Sequence, residues 1–164
     1  MTELEKFATQ YIKDISTSRD YSDFYRQKEA YRDVSVNGSK EKNGVHGWGV
    51  RENTIDNSIQ EIVRKLNSLP FVYTSGESCS GTEEDHGGSR KLSINPLITF
   101  TLDQTSNHSS KLLGKILEIG KFYFEEDGVM GLKRTKVLMN LPEDTTNSYI
   151  QKNWEELEKI IDSF

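Results

Sequence analysis

The sequence predicts a single α/β or α+β domain, built as a mixed sheet of about four strands covered by helices. Three observations carry that prediction. Apolar residues recur at helical spacing in five separate stretches, short runs of strand formers stand between them, and no internal repeat or low-complexity segment interrupts the order. At 164 residues the chain has the length of one domain spanning 1–164, enough to bury about two-thirds of its unfolded surface.

The first helix carries Leu4, Phe7, Ala8, Tyr11, Ile12 and Ile15 on one side, and Thr2 with Glu5 forms a capping-box pattern at its start. A second, from about Tyr21 to Tyr31, sets Tyr21, Phe24 and Tyr25 together. The periodicity lapses over 33–52, where Gly38, Gly44, Gly47 and Gly49 punctuate polar residues; this reads as a long loop or hairpin within the domain. Ile55, Ile59, Ile62, Val63, Leu66 and Leu69 mark a third helix, with Thr54 as N-cap and Pro70 as its stop. Phe71 to Thr74 reads as a strand leading into a Ser/Gly loop, and Pro96 precedes a second strand, Leu97 to Leu102. Ser109 or Ser110 opens a fourth helix, which Gly120 ends. Phe122 to Phe124 and Lys133 to Leu141 read as strands, with Glu126-Asp127-Gly128 as a turn between them. The last helix carries Ile150, Trp154, Leu157, Ile161 and Phe164 on one stripe.

Hydrophobic residues make up 34% and charged residues 29%, which implies a small core under a heavily charged surface. The formal net charge of −5 opposes broad adhesion to nucleic acid. Local basic faces remain available at Arg90 and Lys91, at Lys111, Lys115 and Lys121, and at Lys133, Arg134 and Lys136; each also suits an ordinary solvated surface. One cysteine leaves no internal disulfide and suits a reducing compartment. The acidic start lacks the pattern of a signal peptide, and no apolar run approaches the roughly 18 residues that span a bilayer, so the expectation is a cytoplasmic protein with no membrane partner.

The concentrated chemical signal is Thr74-Ser75-Gly76-Glu77-Ser78-Cys79-Ser80-Gly81, where seven of eight residues are Gly, Ser, Thr or Cys. Small residues at a strand end let a ligand approach the backbone, so Thr74, Ser75, Ser78, Cys79, Ser80 and Gly81 are candidate ligand-binding residues; a flexible surface turn has the same composition. Ser80 stands where a nucleophile elbow built on Ser78 needs glycine, and neither a phosphate loop nor a dinucleotide fingerprint is present. Cys79 is a candidate nucleophile beside His86, but Glu83, Glu84 and Asp85 intervene and raise a thiol's pKa. Cys79, Asp85, His86, His46 and His108 are metal-ligand types without zinc spacing, so no metal is expected. Trp154 reads as core, whereas Trp48, between Gly47 and Gly49, suits stacking on a base or packing down a loop.

One resemblance rests on named residues. Asn57-Ser58-Ile59-Gln60-Glu61-Ile62-Val63 and Lys65-Leu66-Asn67-Ser68 precede a strand, then Thr74-Ser75, then Ser78-Cys79-Ser80-Gly81; Asn95-Pro96-Leu97-Ile98-Thr99-Phe100 and the helix at Ser110 to Ile119 follow. This succession resembles the tRNA wybutosine-synthesising methyltransferase family. The resemblance implies S-adenosylmethionine as cofactor, methyl transfer to a tRNA base, Ser78 to Gly81 lining the site, and Arg90, Lys91, Lys133, Arg134 and Lys136 meeting phosphates. The chain departs from the family where Gly76-Glu77 separates threonine-serine from the signature, and where Thr82 and three acids follow it. Two readings follow: a methyltransferase-like domain binding a nucleotide-type ligand or RNA at the Cys79 loop, and a non-enzymatic binding or interaction module on the same fold. A cysteine- or metal-dependent hydrolase is a third.

Overall fold

A computed structural model describes residues 2–15, 21–31, 57–82, 96–129 and 132–164. Helix α1 spans Glu3–Ile15, and the capping box is formed: the Glu5 amide donates to Thr2 Oγ1 at 3.1 Å and the Thr2 amide to Glu5 Oε2 at 3.2 Å. Helix α2 spans Tyr21–Tyr31, and α3 spans Gln60–Ser68 after a 3-10 turn at Asn57–Ile59. Strand β1 is Val72–Cys79 and β2 Leu97–Leu102; α4 is Asn107–Glu118, β3 Phe122–Val129, β4 Leu132–Met139 and α5 Asn147–Asp162. None of the described helices is long and apolar enough to cross a membrane.

The four described strands lie in the order β1-β2-β4-β3, and every neighbouring pair among them is antiparallel. This is the α+β arm of the expectation, without the mixture of strand directions. The reason lies in the connections. Helix α4 carries the chain from β2 to a β3 that runs parallel to it, but β3 turns straight back into β4, which inserts between the two and opposes both.

Alternation along the strands assigns the two faces. Val72, Ile98, Phe100, Leu102, Phe122, Val137 and Met139 share one cluster with Ala8, Ile62, Leu66, Leu112, Ile116, Ile150, Trp154 and Leu157, so α1, α3, α4 and α5 cover this first face. Helices α1 and α4 meet closely, since a Cβ built on Gly114 stands 3.0 Å from Glu5 Cγ. Helix α2 packs instead on the second face, where Phe24 and Tyr73 have ring centroids 5.4 Å apart.

Besides shifts of one or two residues at the ends of β4, three boundaries differ from the sequence expectation. Residues 75–79, expected as loop after a strand ending at Thr74, continue β1, with an irregular register between Thr74 and Ser78 that accommodates the extra small residues. Glu126, Asp127 and Gly128, expected as a turn, lie inside β3 opposite Thr135, Arg134 and Lys133, because strand pairing overrides local turn preference there. Helix α4 starts at Asn107 rather than after Ser109, capped by Ser106, whose Oγ accepts from the His108 amide at 3.2 Å. Gly120 ends it at a φ of 74°. The segment 33–52 and Thr54 lie outside the described residues.

Candidate functional site on the second sheet face

The first face carries most of the apolar core, with Thr74, Ser78 and Thr135 among it. The second mixes Leu97 and Leu138 with polar and charged side chains. In register across the strands, Cys79 faces Leu97, Leu97 faces Leu138, and Leu138 faces Tyr123; in the next row Thr99 faces Lys136 and Lys136 faces Glu125. Tyr73, Thr101 and Arg134 complete the set by alternation. Tyr73 and Thr99 are fully buried and Arg134 is only 5% exposed, whereas Cys79, Tyr123 and Lys136 are half-buried and reach solvent. The Thr101 hydroxyl is buried without a hydrogen-bond partner among the described residues.

A guanidinium is a planar fork of donors that matches a phosphate or carboxylate in two bonds at once, and the flanking hydroxyls can both donate and accept. The arrangement is therefore suited to an anion carrying hydrogen-bonding groups. Of the basic residues expected to meet phosphates, Arg134 and Lys136 are brought to this face with Cys79; Arg90, Lys91 and the Lys133 side chain lie outside the described residues, as do the Ser75 side chain, His46, Asp85 and His86.

The rest of the Ser/Gly passage serves packing. The Thr74 amide donates to Asn67 Oδ1 at 2.8 Å and its hydroxyl accepts from Asn67 Nδ2 at 2.9 Å, tying β1 to α3 on the first face. Ser78, opposite Ile98, also belongs to the first face, and its hydroxyl is buried without a partner among the described residues. Ser80, Gly81 and Thr82 are buried. The Trp154 indole donates to the Ser80 carbonyl at 2.8 Å, and the Ser80 and Thr82 hydroxyls lie 3.0 Å apart. Gly81 has a φ of +71°, and a Cβ there would fall 2.5 Å from Pro96 Cγ. Its glycine is thus required by backbone and neighbour, with no ligand needed to explain it.

A separate cleft of about 310 Å³ opens between the start of α3 and the middle of α5, lined by Ser58, Ile62, Gln151, Trp154, Glu155 and Glu158. Ser58 Oγ lies 3.2 Å from Thr82 Oγ1, so the cleft adjoins the packed strand end without including its signature side chains. Beyond Glu158, Lys65 Nζ stands 3.4 Å from Glu158 Oε1 and 2.9 Å from Asp162 Oδ1, and the Asp162 carboxylate raises the lysine's pKa above its ordinary value, with Glu158 adding to the effect.

His108 does not approach this chemistry as a ligand or base: its ring stacks with Phe71 at 5.4 Å and meets Phe164 edge-on at 6.0 Å. Among the described residues no group of three His, Cys, Asp or Glu side chains is placed to hold a metal ion. The sequence reading missed Thr99 and Thr101, although the alternation in Leu97-Ile98-Thr99-Phe100-Thr101-Leu102 sets both threonines on one face. It missed Gln151, Glu155 and Glu158 because a polar helix face reads as solvated unless its neighbour is known. Comparison of the chain with protein-family models, with curated proteins and with solved structures finds no match.

Proposed function

We propose that this chain is a binding domain that takes an anionic, nucleotide-type ligand on the second face of its sheet, with Arg134 as the buried anchor and Lys136 as the accessible cation. The observation that carries the reading is the 5% exposure of Arg134 on a sheet face where Thr99, Thr101 and Tyr73 stand beside Leu97 and Leu138. The half-buried Lys136, Tyr123 and Cys79 give that face an accessible margin.

Methyl transfer from S-adenosylmethionine to a tRNA base is the narrower form of the same reading. It is favoured by Cys79, at the heart of the resemblance, sharing the face with Lys136 and Arg134. Such a reaction asks mainly for donor and acceptor to be held in line, so it requires no dedicated acid or base.

Calorimetry with adenosine monophosphate, S-adenosylmethionine, S-adenosylhomocysteine and tRNA tests both forms. Lys136→Gln is the variant of choice, because Lys136 is half exposed while Ser80 and Gly81 are packed into the fold. Mononucleotide binding that Lys136→Gln weakens supports the binding domain. Heat from S-adenosylmethionine, competed by S-adenosylhomocysteine, supports the methyltransferase form. No heat from any of them at millimolar concentration refutes the proposal.

A further inference from the structure

The cleft between α3 and α5 has the opposite character to the sheet face. Two of its six lining residues, Glu155 and Glu158, are carboxylates one helical turn apart on α5; Gln151 adds an amide, and Ile62 and Trp154 give it apolar walls. The rim already holds a cation of the chain's own: the Lys65 ammonium is bound at the Glu158 end by Glu158 and Asp162, at 3.4 and 2.9 Å. Lys65 answers only that end, and Glu155, exposed and one turn away, extends the negative wall beyond it.

We infer that this cleft docks a lysine or arginine side chain from a basic segment of a partner protein, the aliphatic stem lying against Ile62 and Trp154 and the charged head between Glu155 and Glu158. Long basic side chains have this division between apolar stem and charged tip. The volume, about 310 Å³, is at the low end of the roughly 300–1,000 Å³ of ligand clefts, which suits one side chain better than a folded surface. In this arrangement Lys65 is an internal competitor, drawing Glu158 away from the incoming head.

That competition sets the sign of the test. The full chain is titrated with the peptide acetyl-Gly-Lys-Arg-Lys-Gly-amide at low salt, with the Trp154 indole resonance as readout and inorganic phosphate as the anionic counter-probe. The peptide is expected to shift the indole signal, and Glu155→Gln to weaken binding about two- to fivefold, the range for one exposed ion pair. Lys65→Met is expected to tighten it by a similar factor, since it releases Glu158. Glu155 is exposed, so its variant leaves folding intact, which far-UV circular dichroism checks. The inference is overturned if the peptide leaves the indole unmoved, if Glu155→Gln has no effect, or if Lys65→Met weakens binding. A phosphate response that Lys65→Met abolishes overturns it too, by showing an anion site.

Discussion

Replacing Gly81 with alanine separates what the signature glycine does for the fold from what it does for a ligand. The substitution meets two obstacles at once. An L-residue at a φ of +71° carries a left-handed cost of about 1–2 kcal/mol. The added methyl also falls 2.5 Å from Pro96 Cγ, within a ring that cannot rotate away, and overpacking of this kind costs about 1–3 kcal/mol. Together they predict a loss of about 2–5 kcal/mol. Gly120 supplies the control: its φ is +74°, yet a Cβ there meets nothing within 4 Å, so Gly120→Ala pays the backbone cost alone. Urea unfolding of the two variants beside wild type, compared at unchanged slope, reads the difference directly. A Gly81→Ala loss within about 0.5 kcal/mol of the Gly120→Ala loss would refute the contact with Pro96 as the reason for glycine, and would return the position to ligand-based explanations.

Two further outcomes follow from the packing of the strand end and of α1. Trp154→Phe keeps an aromatic ring among Phe122, Ile150 and Leu157 but deprives the buried Ser80 carbonyl of its donor, and should cost about 1–3 kcal/mol in urea unfolding; a change under about 0.5 kcal/mol would show that carbonyl to be satisfied otherwise. The Tyr11 phenol has its pKa raised by burial, with Glu126 adding to the rise and the nearby Thr135 hydroxyl opposing it. Among the described residues neither buried hydroxyl has a hydrogen bond of ordinary geometry, and burial is the largest cause. Because the folded value lies above the unfolded one, the protonated phenol favours folding below about pH 10, and that contribution is lost as pH rises from there through the folded value. Absorbance titration of tyrosinate should show a late component that Tyr11→Phe removes; identical curves would contradict the burial argument.

Much of the fold was legible because helix signals are local. The Thr2 and Glu5 capping box, the stripe on α5 and the stop at Gly120 depend on residues a few positions apart, and each is where the sequence implies. Strand ends were less legible. Glu126-Asp127-Gly128 has turn chemistry, yet β4 supplies partners that hold it in the sheet, and no local signal announces a partner. The candidate site was legible in part for the same reason. Cys79, Arg134 and Lys136 were identified as residue types, but that they share one sheet face depends on β4 inserting between β2 and β3. Ser80 and Gly81 were legible only as small residues, which suit a ligand and a close-packed neighbour equally well, and here the neighbours are Trp154 and Pro96.

The placement of β3 at the rim of the sheet has a bearing on how the chain behaves at high concentration. Among the described strands it pairs with β4 alone, and a strand margin without a partner is a template onto which a second chain adds. The exposed middle of that strand is Glu125-Glu126. A second copy adding antiparallel about a two-fold axis there would set a glutamate against its own counterpart, a like-charge opposition that disfavours the pairing. Glu125 and Glu126, the second of them within the stretch that resembles a turn in the sequence, thus act as a guard against fibre-like growth.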